Sequence, residues 1–244
     1  MEQILISIYE SLTDPKEREY FEIHEVRYRY ILGKIQELNL PQGSKILDIG
    51  VYPPHLFKAL EESGYKLSGI SSQHEKVKLK NISILNIEKE KFPYKNGEFD
   101  LVLMTEVIEH LTADPIIYLS EIKRVLEPSG YLLITTPNAV HLKNRMKILM
   151  GKSASFPVEQ LSETKPHDDS IYYRHNREFT LAELEKIVQS SGLKLRKSEY
   201  FSAYTPFRKN RKTTLIKLGG YTFTQVVSAL KDSLFILAGK NERN

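Results

Sequence analysis

Cysteine is absent from this 244-residue sequence. Its absence excludes disulfides, thiolate metal sites and a cysteine nucleophile, and it gives no sign of an oxidising compartment. No apolar run reaches the roughly 20 residues that a bilayer-spanning helix needs. The first residues, MEQILISIYESL, also lack the basic start of a signal peptide, because their charged residues are Glu2 and Glu10. We therefore expect a cytoplasmic protein.

Strong charge of either sign is also lacking. The formal net charge is +4. The composition, with 41% hydrophobic and 27% charged residues, is typical of a globular protein with an ample core. The basic residues are spread along the chain, so they do not predict a DNA partner. One basic stretch, residues 207–217, precedes an amphipathic segment. It is either a solvated connection between the last strands or a peripheral membrane contact that could also hold an acidic substrate.

Hydrophobic periodicity predicts alternating strands and helices. Strands are predicted at 45–50, 65–71, 82–87, 99–105 and 130–137, with two more within 194–204 and 232–240. Helices are predicted at 14–38, 55–63, 114–126, 141–151 and 180–191. Asp114 and Thr180 are the expected N-caps of the third and the fifth of these helices. The alternation is typical of an α/β fold with a doubly wound, mostly parallel sheet.

In such a sheet, a ligand binds at the carboxyl ends of the strands, where the strand order reverses. The residues at these ends are Gly50, Ser71, Asn86, Thr105–Glu106 and Pro137–Asn138. Glycine is scarce where a nucleotide site would normally use it, because Gly50 is followed by the segment VYPP. The sequence therefore raises the question of whether this chain has lost a nucleotide site or builds one differently.

Four segments in this order resemble the class I S-adenosylmethionine-dependent methyltransferases: ILDIG, FPYKNGEFDLVLMTEVIEHL, EIKRVLEPSGYLLITTPN and RHNREFTLAELEKIVQSSGLKL. Each motif alone is weak, but their order and spacing are specific over about residues 28–205. TTPNAVHLKNRMKILMG and HNREFT are most similar to enzymes of glycan and secondary-metabolite pathways. The resemblance implies a seven-stranded Rossmann-like sheet with an antiparallel last strand, and S-adenosyl-L-methionine as cofactor.

On this basis we predict a single domain over residues 1–244 with four parts. Residues 1–42 form an N-terminal helical cap, 43–138 the cofactor-binding half, 139–174 an insertion that covers the substrate, and 175–244 the C-terminal half. The insertion combines a basic helix with a polar loop that contains Pro157, Pro166 and Asp168–Asp169. Long loops of this kind often carry substrate contacts.

The resemblance implies that the cofactor binds at Asp48, Gly50, Ser71, Asn86 and Glu106. Asp48 and Gly50 match the acid and the first glycine of the family's first motif. Ser71 stands where the family has an acid that binds the ribose hydroxyls, and Asn86 where an acid faces the adenine amine. Glu106 matches the position near the methionine moiety.

Tyr52 and Pro54 occupy the second and third glycine positions of that first motif. One interpretation is a dead site on a relic domain, with Tyr52 blocking it. The other is an altered, working site: prolines are acceptable in the first turn of a helix, and the ligand has no phosphate that would need a tight amide cradle. Serine and asparagine can still hydrogen-bond a ribose or an adenine.

A hydroxyl acceptor would benefit from a base, and His110 and His175 are the candidates. EVIEH places Glu106, Glu109 and His110 on one face of a short helix. A simpler explanation is that the two acids favour the helix N-terminus and His110 is an ordinary surface residue. A third explanation is a metal site with His175 as a fourth ligand, because metal-dependent methyltransferases of small-RNA ends and quinone precursors carry a similar motif.

We therefore predict a methyltransferase that acts on an oxygen atom of a small-molecule or glycan acceptor. Two alternatives remain open at this point. One is a non-catalytic, methyltransferase-like binding module, which Tyr52, Pro54 and Ser71 favour. The other is a metal-dependent enzyme that methylates the 2′-hydroxyl of RNA ends, which the modest charge disfavours.

Overall fold

The computed structural model describes residues 2–72, 79–155, 174–204 and 215–240, with side chains described from residue 219 in the last range. The predicted polar loop with Pro157, Pro166 and Asp168–Asp169 lies outside these residues, as does the side-chain arrangement of the basic stretch 207–217. None of the helices in the described ranges combines the length and the apolar character that crossing a bilayer requires.

The described part of the chain contains seven α-helices, seven strands and two short 3-10 helices, Ile108–His110 and Ser228–Leu230. The helices are α1 (Glu2–Ser11), α2 (Pro15–Glu37), α3 (His55–Glu62), α4 (Pro115–Val125), α5 (Leu142–Leu149), α6 (Leu181–Ser190) and α7 (Leu215–Val226). The strands are β1 (Lys45–Ile49), β2 (Lys66–Ser71), β3 (Ile82–Ile84), β4 (Phe99–Thr105), β5 (Leu126–Pro137), β6 (Lys194–Phe201) and β7 (Ser233–Gly239).

All seven strands form one sheet in the order β3-β2-β1-β4-β5-β7-β6. The first five strands are parallel, and β7 runs antiparallel between β5 and β6. The prediction of a doubly wound α/β sheet with an antiparallel last strand is therefore confirmed. The strand order reverses between β1 and β4, which places the expected ligand crevice at the carboxyl ends of these two strands.

The predicted caps explain where the helices begin. The Asp114 carboxylate accepts a hydrogen bond from the backbone N–H of Ile116, with Pro115 as the first helical residue. Thr180 and Glu183 form a complete capping box at the start of α6, as their spacing predicts. Asp14 caps α2 in the same way as Asp114 caps α4, through the backbone N–H of Lys16.

Two strand boundaries differ from the prediction. β3 ends at Ile84 instead of Ile87, because Asn86 forms a turn in which its side-chain oxygen accepts from the Glu88 backbone. β5 begins at Leu126, directly after α4, instead of at Gly130. Its first residue already pairs with Phe99 before the register shifts. Neither difference moves the strand ends that form the crevice.

The sheet is covered on both faces, which is why its central strands are almost uniformly apolar. One face packs against α4 and α6 through residues such as Tyr118, Ile122 and Leu184. The other packs against α1, α2 and α3 through residues such as Ile31 and Phe57. Helix α2 therefore belongs to the core of the domain, and its first half reaches the edge where the crevice opens.

Candidate active site

A cavity of about 640 Å³ opens at the carboxyl ends of β1, β2 and β4. Four of the five predicted cofactor residues line it: Gly50, Ser71, Asn86 and Glu106. Apolar side chains from the same strand ends and from the start of α2 complete its walls, among them Ile70, Leu85, Leu111 and Tyr20. Its volume lies in the range of small-molecule and cofactor sites, and it combines apolar walls with a few polar groups as such sites do.

The turn after β1 brings backbone close to the cavity at Gly50. This residue has a φ of +85°, a left-handed conformation that favours glycine. A Cβ atom built here would lie 2.4 Å from Cγ2 of Val107, which lines the same cavity. The absence of a side chain at Gly50 thus leaves room for the Val107 side chain beside the turn. The segment Val51–Pro54 provides no second glycine, and α3 begins at His55 behind Pro54.

Hydrogen-bonding side chains stand at the ends of β2 and β3. Ser71 ends β2, Ser72 follows it, and Asn86 lies in the turn after β3; all three line the cavity. Ile70, Leu85 and Ile87 surround them with apolar surface. Neutral groups of this kind can bond ribose hydroxyls and an adenine amine, and the apolar surface suits a purine ring. The arrangement fits S-adenosylmethionine at this end of the cavity.

Glu106 is held on three sides at the end of β4. Its φ of +55° is unusual for a residue other than glycine, and its backbone N–H donates to the carbonyl of Thr135. Thr135 also donates its hydroxyl to Oε1 at 3.0 Å, and Arg27 of α2 contacts Oε2 at 2.8 Å. A carboxylate fixed in this way provides negative charge where the resemblance places the methionine moiety and its cationic groups.

Arg27, the partner of Glu106, is a residue that the sequence analysis missed. Burial of its guanidinium opposes its charge, but the Glu106 carboxylate and the hydroxyls of Tyr20, Tyr28 and Tyr204 together outweigh this effect and raise the pKa of Arg27. Arg27 also interacts electrostatically with the Tyr20 side chain, which lines the cavity. Tyr20, His24 and Arg27 are spaced by four and three residues on α2, and this spacing was the available signal for a shared face.

Asp48 is a predicted cofactor residue that does not line the cavity. It is 3% exposed within β1, and its side chain lies on the strand face of Ile46, which packs against the N-terminal helices. The reason is the alternation of side chains along a strand, which turns Asp48 away from its neighbour Ile49 at the cavity. Burial raises the pKa of Asp48 to about 7. Its place supports a role beneath the turn instead of direct contact.

Tyr52 stands at the rim of the cavity. Its side chain is 38% exposed and also contributes to the cavity wall, facing the start of α2. The side chain therefore lies partly in solvent and partly at the cavity opening. The cavity of about 640 Å³ is present with this side chain in place, so Tyr52 borders the cavity without filling it.

A second group of polar residues borders the cavity at His110. Glu109 is completely buried behind it, and burial, followed by repulsion from Glu106, raises the pKa of Glu109 to about 8. Thr136 donates its hydroxyl to Glu109 Oε2 at 2.9 Å. Oε1 has no hydrogen-bond partner in the described part of the chain, and it lies 3.9 Å from His110 Nε2. A buried carboxylate oxygen in this state is rare and costly.

The two predicted catalytic histidines lie together, but only one lines the cavity. The rings of His110 and His175 are perpendicular, with centroids 4.9 Å apart. His110 Nδ1 bonds the carbonyl of Arg174 at 3.0 Å, which assigns the proton to Nδ1 and makes Nε2 the basic nitrogen. His175 sits behind it, with Nδ1 bonded to Glu178 at 2.9 Å. His175 is therefore placed to support His110.

Glu109, His110 and His175 could also hold a divalent metal ion. Each offers one ligand atom, and these atoms all lie within 4.8 Å of one another. One carboxylate and two imidazoles suit magnesium, manganese or zinc. Glu106 is not part of this group among the described residues, because Arg27 holds its carboxylate instead. The four-ligand set considered from the sequence is thus reduced to three.

The methyltransferase-domain family model matches residues 23–198, more than two thirds of the chain. The ubiquinone biosynthesis O-methyltransferase of Cereibacter sphaeroides is 26% identical over 189 residues, which cover 70% of this chain and 72% of that protein. A Mycolicibacterium smegmatis protein described as a probable S-adenosylmethionine-dependent methyltransferase is 22% identical over 185 residues. That match covers 74% of this chain but only 61% of the Mycolicibacterium smegmatis protein, less than two thirds of that protein's length.

Solved structures share the fold at low identity. A methyltransferase from Archaeoglobus fulgidus that depends on S-adenosylmethionine has a TM-score of 0.60 at 16% identity, over 93% of this chain and 100% of that one. A methyltransferase from Aquifex aeolicus has a TM-score of 0.51 at 19% identity, and the match covers 95% of this chain and 96% of that one. Together with the family match, this fold implies S-adenosyl-L-methionine as the cofactor. The bare turn at Gly50 and the polar groups at the strand ends fit that ligand.

Proposed function

The chain belongs to the methyltransferase-domain family and is an S-adenosylmethionine-dependent methyltransferase, and from this premise we propose that it methylates a hydroxyl oxygen of a small-molecule or glycan acceptor. The observation that carries the proposal is His110. Its imidazole lines the cofactor cavity, its Nδ1 proton is held by a backbone carbonyl, and its Nε2 is the basic nitrogen. An oxygen acceptor gains from such a base.

The chain's own residues would perform three tasks in this reaction. Ser71, Asn86 and the turn at Gly50 bind and orient the cofactor, which supplies an activated methyl group. Glu106, fixed by Thr135 and Arg27, provides the negative charge at the cofactor's cationic end. Alignment of the acceptor oxygen with the methyl carbon then accounts for much of the rate.

His110 would take the acceptor proton at Nε2 as the new carbon–oxygen bond forms. The positive charge that develops on its ring would favour the ionised form of Glu109, whose pKa is raised by burial and whose Oε1 lies 3.9 Å away. His175, oriented by Glu178, packs edge-on against the His110 ring and fixes its position. His175 is a positioning residue in this scheme, because His110 stands between it and the cavity.

A paired acceptor panel tests the proposal. Release of S-adenosylhomocysteine is measured with phenols, sugars and the matching amines on the same carbon skeletons. We expect turnover with hydroxyl acceptors, and a loss of about a hundredfold to ten-thousandfold in His110→Ala with unchanged cofactor affinity. Turnover confined to the amines, or a His110→Ala variant with full activity on its best hydroxyl acceptor, would contradict the role of His110.

One observation favours a metal-assisted variant of the same reaction. Glu109 Oε1, which lacks a hydrogen-bond partner among the described residues, faces two imidazoles, and a divalent ion would satisfy it. The ion would lower the pKa of the acceptor hydroxyl in place of a protein base. Metal analysis of the purified protein separates the two schemes. Bound metal that is lost in Glu109→Gln, together with turnover that a chelator stops, would support the metal-assisted scheme. An RNA oligonucleotide with a free 2′-hydroxyl end belongs in the acceptor panel for this variant.

A further inference from the structure

Helix α5 exposes a cluster of large apolar side chains near its C-terminal end. Met146 is 48% exposed, Ile148 58%, Leu149 80% and Met150 58%. Single exposed apolar residues are normal on a protein surface, but four within five positions form a patch that needs a partner. We refer to these four residues as the α5 apolar cluster.

The charge around the α5 apolar cluster has one sign. Residues 142–155 contain the cations Lys143, Arg145, Lys147 and Lys152 and not a single acid. Lys143, Arg145 and Lys152 are exposed. A short helix with exposed aliphatic side chains and only positive charge is the pattern of a segment that lies in the interface of an anionic membrane. A protein partner with an apolar surface alone would not require this charge.

The first half of α5 is seated on the domain through Asn144. Asn144 is 4% exposed, and its amide donates to the carbonyl of Ala139 and to Oε2 of Glu178. These bonds anchor the start of the helix, and the α5 apolar cluster lies in its exposed second half.

A second apolar element accompanies the first. Helix α7 meets α5 where Gly220 lies beside Leu142. Beyond that contact, α7 exposes Phe223 and Val226 and has no charged residue from 219 to 227. The exposed apolar residues of α7 thus belong to a second helix, which contacts α5 at its first residue.

We propose that the α5 apolar cluster, with its flanking cations and α7, docks this protein on the surface of an anionic lipid membrane. The apolar side chains would enter the headgroup boundary, while the lysines and Arg145 would contact lipid phosphates. Because α5 follows β5 at the edge where the cofactor cavity opens, docking would face that edge toward the bilayer. On the proposed function, the acceptor would then be an amphipathic molecule taken from the membrane.

Vesicle cosedimentation of the full chain tests the docking without any need for turnover. Vesicles of phosphatidylcholine alone are compared with vesicles that contain about 30% phosphatidylglycerol. We expect binding to the anionic vesicles only. Leu149→Asp should reduce it by more than tenfold, and each of Lys143→Gln and Lys152→Gln by about fivefold. Ile117→Asp on α4, where the side chain is 52% exposed, and Lys89→Gln are the matched controls and should bind as the wild type does.

Several outcomes would overturn the proposal. Equal binding to both vesicle types would refute the role of the cations, and binding to neither would refute docking. Self-association that Leu149→Asp abolishes, without vesicle binding, would assign the cluster to a second copy of this chain. Because Leu149 is so exposed, its replacement should leave the thermal unfolding temperature unchanged, which a melting curve checks. Loss of turnover with docking intact would contradict only the proposed function.

Discussion

Replacement of Gly50 by alanine should weaken the fold and the cofactor site together. The left-handed backbone at φ +85° costs a residue with a Cβ about 1–2 kcal/mol. The new Cβ would also lie 2.4 Å from Val107 Cγ2, and relief of such overpacking typically costs about 1–3 kcal/mol. We therefore expect Gly50→Ala to lower the free energy of unfolding by about 2–5 kcal/mol, and cofactor affinity by at least about tenfold because both residues line the cavity.

Two further variants separate the backbone cost from the collision. Gly151 has a φ of +69°, and none of the described residues outside its own neighbours has an atom within 4 Å of the position that a Cβ would take there, so Gly151→Ala should show the backbone cost alone. In the double variant Gly50→Ala/Val107→Ala, the collision is removed. A double-mutant cycle should then give a favourable coupling of about 1–3 kcal/mol.

Urea unfolding followed by circular dichroism gives these free energies by linear extrapolation, and calorimetric titration gives the affinities. If Gly50→Ala costs no more than Gly151→Ala, or if the cycle shows no coupling with Val107, the collision at Gly50 is refuted. A variant that loses stability but binds cofactor normally would show that the turn at Gly50 is structural and that the cofactor lies elsewhere.

Three other substitutions test separate parts of the site. Burial raises the pKa of Asp48 from 3.8 to about 7, so the free energy of unfolding should fall by up to about 4 kcal/mol as pH rises between these values. Asp48→Asn should therefore be more stable than the wild type at pH about 8 and similarly stable at pH about 4. An equal difference in stability at both pH values would exclude burial of this charge. Arg27→Met should lower the free energy of unfolding in urea by about 3–5 kcal/mol, because it leaves the Glu106 carboxylate unpaired. Adding Glu106→Gln should recover part of this loss, and additive effects of the two substitutions would show that the two residues are not coupled. Tyr52→Gly should change cofactor affinity by less than about tenfold, whereas a much larger gain in calorimetry would mean that Tyr52 fills the site.

The strand ends of the site could be predicted because the hydrophobic pattern fixes where parallel strands stop. Gly50, Ser71, Asn86 and Glu106 all follow apolar segments, and the sheet brings them to one cavity. Asp48 was assigned to the cavity through the resemblance, although the alternation along β1 already places it on the other face. Strand periodicity was the better guide at this position.

The interactions between distant segments could not be predicted from local patterns. The ion pair of Arg27 and Glu106 joins a helix of the N-terminal cap to the end of β4, and the local sequence of neither segment indicates that the two are in contact. The same holds for the burial of Glu109, which depends on Thr136 and on the backbone of residues 176 and 177. EVIEH indicated three neighbouring polar residues, but packing decided that Glu106 pairs with arginine while Glu109 joins the histidines.

Calorimetric titration of the wild-type chain with S-adenosylmethionine and S-adenosylhomocysteine tests the central claim most directly, since methyl transfer requires a working cofactor cavity despite the missing glycines. We predict saturable binding of both ligands with one site per chain, lost in Gly50→Leu and retained in the matched surface variant Gly151→Leu. No detectable heat of binding at about 1 mM ligand, the range of a very weak complex, would contradict the claim. Binding that survives Gly50→Leu would place the cofactor outside the cavity at Gly50.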